Sequence, residues 1–346
     1  MKIFKKHTSQ LLVLNVFLLI TVSSTTQCKA QTTPKRTLLA ISKTNHTMAV
    51  IDPATLKILN RIPVGEDPHE VCASTDGLTA YVCIYGGGSL HELNIIDLVA
   101  QKPLSNFDTR PLFGPHDITF VNGKAWFTAE GSKAVGRYDP ATGKSDWSMG
   151  TGQDRTHMIY VSPDTKKIYT TNISSGTVSI LSDTLITPPF PGAKPREEWF
   201  QTVIPTARGS EGFDVSPYGR ELWTASSEDG TITVIDLAAK KQSAKIDAKV
   251  SGANRAKFTP DGKQVFISSL RTGELTIYDV TTQKELKRLK LGKGAAGILM
   301  DPVGLRAFVA CSADNNIAIV DLKTLEVTGH LDVGGNPDGL AWAIRP

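Results

Sequence analysis

Beyond its first thirty residues, the 346-residue chain has no long apolar run and no apolar stripe of helical periodicity. A membrane-spanning helix needs about 20 consecutive apolar residues, and an amphipathic helix repeats its apolar face about every 3.6 residues. The phosphate-binding GxxxxGK[ST] loop, the CxxCH haem-attachment motif and zinc-finger cysteine spacing are also missing. These absences argue against a helical membrane protein, a helical domain and a P-loop nucleotide hydrolase.

The body of the protein also has little net charge. The formal charge of the whole chain is +4, and four uncompensated lysines (Lys2, Lys5, Lys6 and Lys29) lie before residue 30, so 4 − 4 leaves about zero. A near-neutral body provides no electrostatic basis for binding nucleic acid or anionic lipid. We therefore expect no nucleic-acid partner.

Cysteine is scarce, with four in the chain, of which Cys72, Cys83 and Cys311 lie beyond the leader. An odd number leaves at least one thiol unpaired within the chain. Cys72 and Cys83 fall on predicted neighbouring strands, where either a disulfide or two buried thiols is possible. We expect buried thiols, because free cysteine behaves as a small apolar side chain.

Residues 1–30 have the features of a signal peptide. Lysines at the start precede a short apolar run at 11–22, and Cys28-Lys29-Ala30 places small residues where a signal peptidase reads them. Cleavage before Gln31 would give a periplasmic or secreted protein without a transmembrane segment. The alternative is a lipoprotein acylated at Cys28.

A repeated phrase organises the remainder of the chain. A β-rich run ends in Asp, a turn follows, and a second β-rich run leads to a Gly or Pro turn. The spacings between successive copies are 45, 42, 44, 53, 43 and 42 residues, the length of a four-stranded propeller blade. The seven aspartates are Asp52, Asp97, Asp139, Asp183, Asp236, Asp279 and Asp321.

The pattern predicts an all-β, seven-bladed β-propeller of four-stranded blades that forms one domain over residues 36–346. Residues 36–65 supply three strands and the last ten residues, PDGLAWAIRP, supply one, so pairing of the two ends closes the ring and removes free edges. The 53-residue interval contains a Pro-rich stretch at 186–199. We expect it to lengthen the hairpin between the last two strands of its blade.

The phrases VIDPATLKILNRIPVG and AIVDLKTLEVTGHLDVG, with SPDTKKIYTT and TPDGKQVFISS, resemble the YVTN-repeat family of β-propellers. The resemblance covers about residues 36–346. It implies a propeller fold and leaves the function open.

Aligning the seven units gives one equivalent position at the start of each innermost strand, where side chains are expected to point into the mouth of the central channel. Three of the six histidines beyond the leader occupy this position on consecutive blades. The seven residues are His69, His116, His157, Glu211, Asn254, Ala296 and Asp338.

Convergent imidazoles predict a binding site for a small ligand or a divalent metal, with His69, His116 and His157 as candidate metal ligands. Glu211, Asn254 and Asp338 are candidate binding residues of the same ring, and Glu130 follows the second strand of the His116 blade. Nearby arginines could clamp an anionic ligand, although a solvated rim is the simpler expectation for them. They are Arg155, Arg208 and Arg255.

The segment GPHDITFVNGKAWFTAEGSKAVGRYD resembles one blade of the streptogramin lyases. Those propeller enzymes use a histidine with a magnesium-binding glutamate at the channel mouth. The resemblance implies His116 as a catalytic base and Glu130 as a metal ligand. Ala129 interrupts the phrase that carries the resemblance.

Three functional hypotheses remain. The first is an exported cell-envelope propeller, expected to be a monomer, that binds a small ligand or metal at its channel mouth. The second is a metal-dependent lyase or hydrolase that uses His116 and Glu130. The third is a scaffold that binds an envelope protein and has no catalytic activity. The cofactor is undetermined beyond a possible divalent metal.

Overall fold

The computed structural model describes Met1 and residues 34–346. The predicted signal peptide, residues 1–30, therefore lies outside the described residues apart from Met1. Within the described part of the chain, no helix is long and apolar enough to span a membrane.

The described chain folds into strands joined by short turns and three single-turn 3-10 helices at Gly86–Gly88, Glu130–Ser132 and Ser312–Asp314. The strands are β1 (Arg36–Ser42), β2 (Thr47–Asp52), β3 (Lys57–Pro63), β4 (Pro68–Ala73), β5 (Thr79–Ile84), β6 (Glu92–Asp97), β7 (Lys102–Pro103), β8 (Phe107–Asp108), β9 (Pro115–Val121), β10 (Lys124–Ala129), β11 (Ala134–Asp139), β12 (Lys144–Gly150), β13 (Thr156–Val161), β14 (Lys167–Asn172), β15 (Thr177–Ile186), β16 (Arg196–Pro205), β17 (Ser210–Val215), β18 (Glu221–Ser226), β19 (Ile232–Asp236), β20 (Lys241–Ile246), β21 (Ala253–Phe258), β22 (Gln264–Ser269), β23 (Glu274–Asp279), β24 (Glu285–Lys290), β25 (Ala295–Met300), β26 (Arg306–Cys311), β27 (Asn316–Asp321), β28 (Glu326–Asp332) and β29 (Pro337–Ile344).

These strands form seven antiparallel sheets, which confirms the seven-bladed propeller. Blade 1 has the strand order β29-β1-β2-β3, so the last strand of the chain pairs with the first, as predicted. Blades 2 to 7 begin at β4, β9, β13, β17, β21 and β25. In blade 2 the outermost strand is split, because β7 and β8 both pair with β6.

The apolar core lies between neighbouring blades. The inner three strands of each blade are rich in Val, Ile, Leu and aromatic residues, which pack well on a pleated surface. One cluster joins Leu39 and Val50 of blade 1 to Val71 and Val82 of blade 2. Trp126 and Trp223 are buried in such inter-blade clusters and do not line the channel.

The long interval in the repeat is a lengthened hairpin. Strands β15 and β16 have ten residues each and pair from Thr177↔Pro205 to Ile186↔Arg196. The intervening loop is the Pro-rich segment 187–195. It joins the third and fourth strands of blade 4, as predicted.

The structure has Cys72, Cys83 and Cys311 as free, buried thiols. Burial raises the pKa of Cys83 well above its ordinary value, since the thiolate would lose its hydration. We therefore expect thiol titration of unfolded, unreduced protein that begins at residue 34 to find three reactive thiols. Finding one would show that Cys72 and Cys83 form a disulfide.

Candidate functional site

The second residue of each innermost strand lies at one end of the central channel. These seven residues line a single cavity of about 150 Å³. They are the positions that the repeat alignment selects: His69, His116, His157, Glu211, Asn254, Ala296 and Asp338. The structure thus brings the predicted ring together, whereas its role in binding stays a prediction.

The backbone enters each innermost strand through the same sharp turn. The residue two places before each ring position has a positive φ in all seven blades. These residues are Asp67, Gly114, Arg155, Gly209, Gly252, Gly294 and Asn336. A shared turn geometry explains why the repeat places equivalent side chains at the channel mouth.

The three histidines form a continuous row across blades 2, 3 and 4. The ring centroids of His69 and His116 are 4.6 Å apart, and those of His116 and His157 are 3.8 Å apart. Tyr85, which follows the second strand of blade 2, covers this row edge-on, with centroid distances of 4.6 Å to His69 and 5.0 Å to His116.

Glu130 completes this cluster from the 3-10 turn that follows β10. Its Oε2 is 3.2 Å from His157 Nδ1, and its Oε1 accepts a 2.5 Å hydrogen bond from Arg155 Nε. His116, Glu130 and His157 are all buried, and each offers one ligand atom within 4.8 Å of the other two. This arrangement has the composition of a metal site.

Burial and neighbouring charges set the protonation of the cluster. Burial lowers the pKa of His116 well below its ordinary value, and the imidazoles of His157 and His69 add to the shift. Burial also acts against the charged forms of His157 and Glu130. Their mutual contact, with Glu211 also beside His157 and Arg155 beside Glu130, outweighs it, so the pKa of His157 is raised and that of Glu130 falls to about 2.

The His157–Glu130 contact should make the stability of the metal-free protein depend on pH. The raised pKa of His157 contributes stability that is full below pH 6.5 and is lost as the pH rises through its folded value. The lowered pKa of Glu130 contributes stability that is full above pH 4.5 and is lost toward pH 2. Both groups therefore contribute their full stability between pH 4.5 and pH 6.5.

Thermal unfolding with a chelator present tests this prediction. We expect His157→Gln to lower the Tm more at pH 5.5 than at pH 8.5. The matched control is His330→Gln, because His330 is exposed on the outer strand β28. An equal effect of His157→Gln at both pH values would contradict the prediction.

A second charged cluster forms the floor of the cavity. Arg255 reaches across the channel from blade 6 to blade 2, where its Nη2 lies 2.6 Å from Glu70 Oε1. Its guanidinium also lies 3.5 Å from Glu211 and 3.8 Å from Asp338. Only 7% of its side chain is exposed, so the expectation of a solvated rim was wrong for Arg255.

The other two predicted arginines differ in position. Arg155 lines the cavity, and its side chain is 50% exposed. Arg208 does not line the cavity; its side chain is 71% exposed and lies 3.8 Å from Glu228. For Arg208 the simpler expectation of a solvated side chain is therefore confirmed.

A second cavity of about 200 Å³ lies deeper along the same channel. Arg255 borders both cavities, and Glu70 borders the deeper one. The wall of the deeper cavity mixes apolar and charged side chains, and its carboxylates have partners: Asp117 accepts hydrogen bonds from the amides of Ile118 and Ile159. The Arg255–Glu70 bridge therefore divides the channel.

The cavity at the channel mouth is lined by several buried polar atoms that have no hydrogen-bond partner among the described residues. They are His69 Nδ1, His116 Nδ1, His157 Nε2 and Asn254 Oδ1. Two of them face carboxylates beyond hydrogen-bond distance, since His69 Nδ1 lies 3.7 Å from Asp338 and His157 Nε2 lies 3.6 Å from Glu211. A buried polar atom that is left unpaired costs roughly 1–3 kcal/mol, and such atoms are uncommon in native proteins. The other two, His116 Nδ1 and Asn254 Oδ1, indicate a place for a polar or metallic ligand.

Sequence reasoning did not select Lys43, Asp67 or Glu70. Lys43, in the turn after β1, donates to Asp338, and Asp67 Oδ1 accepts a hydrogen bond from His69 Nε2. Glu70 could have been selected from the sequence, because it is a charged residue that directly follows the ring position His69 in a mostly buried inner strand. Arg255 occupies the equivalent place in blade 6.

Fold and site together define a seven-bladed β-propeller with a buried histidine–carboxylate cluster at one end of its channel. A model of the family described as the cytochrome D1 heme domain matches residues 113–305, which is 193 of 346 residues. The chain belongs to this family. No protein of curated function matches the sequence.

Solved structures share the fold. The periplasmic gluconolactonase of Pseudomonas aeruginosa is 15% identical, with a TM-score of 0.69, and the match covers 90% of this chain and 99% of that one. A functionally unknown protein from Desulfotomaculum acetoxidans is 12% identical, with a TM-score of 0.70, and the match also covers 90% and 99%. At these identities the likeness concerns the fold alone. The YVTN-repeat resemblance stays a prediction.

The haem in the family description does not fit this channel. Pockets for drug-sized ligands occupy roughly 300–1,000 Å³, and a tetrapyrrole is large among such ligands. The two cavities here are about 150 and 200 Å³, and the Arg255–Glu70 bridge separates them. His116 is moreover flanked by the rings of His69 and His157, which leaves no space for a macrocycle against it.

Proposed function

We propose that this protein is an exported propeller that binds a divalent transition-metal ion at its channel mouth, with His116, His157 and Glu130 as ligands and His69 beside them. The observation that carries the proposal is the placement of three ligand atoms from three buried side chains within 4.8 Å of one another. The signal-peptide pattern of residues 1–30 supports a periplasmic or secreted location.

The chemistry of the donors narrows the choice of metal. Two imidazoles and one carboxylate form the ligand set of several catalytic zinc sites, and the same set with open positions binds iron(II) in oxygenases. Zn²⁺ requires only these three ligands and one further position. The adjoining cavity provides space for that position, so Zn²⁺ is the first ion to test.

The charge balance of the channel mouth also favours a bound cation. Four carboxylates lie there with three permanently basic side chains, and 4 − 3 leaves one negative charge when the carboxylates are ionised and the imidazoles are neutral. A bound cation would offset this charge. The carboxylates are Asp67, Glu130, Glu211 and Asp338, and the basic side chains are Lys43, Arg155 and Arg255.

Zinc titration by calorimetry, together with elemental analysis of protein purified without a histidine tag, tests the proposal. We expect one Zn²⁺ per chain and a loss of affinity well over tenfold, or more than about 1.4 kcal/mol, in His116→Ala and in His157→Ala. His330→Ala is the matched control, since His330 is exposed on β28. Equal affinity in all four proteins would refute the proposal.

A second candidate function is metal-assisted hydrolysis or elimination on a small molecule. The observation that favours it is the cavity beside the cluster, which the imidazole of His116 lines. In this function His116 would be the base and Glu130 a metal ligand. Because a fold neighbour is a gluconolactonase, hydrolysis of gluconolactone by zinc-loaded protein is the first assay.

The alternative of a scaffold without catalytic activity makes a different prediction. A scaffold would neither bind zinc with one-to-one stoichiometry nor respond to changes at His116. The titration above therefore separates it from both metal-dependent functions.

A further inference from the structure

We infer that the channel-mouth cavity accepts a small ligand with an oxyanion group, either a carboxylate or a phosphate, and that Arg155 binds this group. The inference rests on the proposed function, since the ligand would lie beside the metal. Its main support is the conformation and position of Arg155.

Arg155 occupies a backbone position that disfavours it. The equivalent residue is left-handed in all seven blades, and in four blades it is glycine. Two others are Asp67 and Asn336, and short Asp and Asn side chains tolerate this conformation. Only Arg155, with φ of 57°, is a long side chain at this place. A long side chain in this conformation is strained, and such strain is common at ligand-binding sites.

Left-handed residues other than glycine also occur in outer turns, for example Leu56 and Lys240, so the conformation by itself does not define a site. The place of the side chain distinguishes Arg155. It lies in the wall of the cavity, and its Nε donates a 2.5 Å hydrogen bond to Glu130. The residue therefore joins the mouth of the channel to the proposed metal ligand.

The guanidinium is suited to bind an anion. Half of the side chain is exposed, and its hydrogen bond to Glu130 is made through Nε rather than through the Nη groups. A planar guanidinium edge binds carboxylate or phosphate through two parallel hydrogen bonds. Lys43 lines the same cavity and adds a positive charge near Asp338.

The volume limits the size of the ligand. The cavity is about 150 Å³, and an engineered cavity of about this volume in another protein holds benzene. The ligand that fits is therefore a small acid of a few carbon atoms or inorganic phosphate. A nucleotide or an oligosaccharide would not fit inside.

The test is calorimetric titration of zinc-saturated protein with three probes: glycolate, inorganic phosphate and ethylene glycol, the neutral counterpart of glycolate. We expect one or both anions to bind and ethylene glycol not to bind. Arg155→Gly should weaken anion binding at least tenfold, while Arg155→Lys, which keeps the charge without the planar edge, should weaken it less.

Lys133→Gly is the matched control. Lys133 is also left-handed, is half exposed and pairs with Asp154 in a neighbouring loop, but it does not line the cavity. We expect it to leave anion binding unchanged. Thermal unfolding reports the structural role of Arg155 separately from anion binding, because Arg155→Gly relieves the backbone strain but also removes the ion pair with the buried Glu130.

The outcomes separate the two proposals. Glycolate binding alone identifies a carboxylate ligand, and phosphate binding alone identifies a phosphate ligand; either supports the inference. Equal anion affinity in wild type and Arg155→Gly, or no anion binding by wild type, overturns it. If the zinc titration fails, the proposed function fails, and titration of zinc-free protein then decides whether Arg155 binds anions without a metal.

Discussion

Deleting residues 337–346 should destabilise the whole propeller and not only its last strand. The deletion removes β29, the innermost strand of blade 1, which pairs with β1 from Arg36↔Ile344 to Ser42↔Pro337. It leaves β1 with an unpaired edge facing the channel and opens the ring. We expect the truncated protein to lose at least about 5 kcal/mol, a large part of the 5–15 kcal/mol that stabilises an ordinary domain.

The contacts of β29 explain the size of this effect. Ala341 and Ala343 are buried in the cluster that joins blades 1 and 2. The indole of Trp342 donates to the carbonyl of Met300 in blade 7 and lies 4.0 Å beneath the guanidinium of Arg36. Strand β29 therefore connects blade 1 to both of its neighbours.

Thermal unfolding is the measurement, with the outer hairpin of blade 4 as the control. Replacing its loop, residues 187–195, with Asn-Gly removes seven residues (9 − 2) from a surface loop and should change stability by about 1 kcal/mol or less. If the truncated protein melts within a few degrees of the full chain, closure through β29 does not stabilise the ring. Trp342→Ala provides a milder test should the truncation fail to fold.

The fold was predictable from the sequence because its determinants are periodic. Seven copies of one phrase at near-constant spacing fix the number of blades, and the incomplete units at the two ends fix the closure. The same periodicity located the ring of channel-mouth residues. Equivalent positions in a repeat share a local backbone conformation, here the left-handed turn before His69, His116 and His157.

The contacts across the channel were not predictable in this way. Arg255 and Glu70 are 185 residues apart and lie in blades that are not neighbours. Their pairing depends on the diameter of the channel and on three glycines at equivalent positions, Gly212, Gly297 and Gly339, where a Cβ would lie 2.2–2.5 Å from backbone atoms of the next blade. Alignment of the repeats identifies these charged residues, but it does not show that the side chain of Arg255 crosses the channel.

Replacing Arg255 with methionine should be the most destabilising single substitution at the site. Arg255 is buried between three carboxylates, with Glu70 at 2.6 Å, Glu211 at 3.5 Å and Asp338 at 3.8 Å. Its removal leaves these carboxylates near one another without their common counter-charge. Breaking one partner of a buried ion pair costs roughly 3–5 kcal/mol, and we expect a loss in this range.

The loss of stability caused by Arg255→Met should increase with pH. Burial raises the pKa of Glu70 to about 7 even though Arg255 lowers it, and the charges of Asp338 and Asp117 add to the rise. A carboxyl whose folded pKa exceeds its ordinary value makes the folded state bind more protons, so its effect on stability becomes less favourable as the pH rises. Without Arg255 the pKa of Glu70 rises further, and ionisation at high pH becomes more costly.

Urea unfolding at pH 6 and pH 8.5 measures both effects. Arg208→Met is the matched control, because Arg208 is exposed and its contact with Glu228 is a 3.8 Å surface ion pair, of the kind that contributes about 0–1 kcal/mol. The double variant Arg255→Met/Glu70→Gln should recover part of the loss, since it removes the carboxylate that Arg255→Met leaves unpaired. A loss below about 1 kcal/mol that does not change with pH would show that solvent, rather than Arg255, balances these carboxylates, and that the two cavities form one open channel.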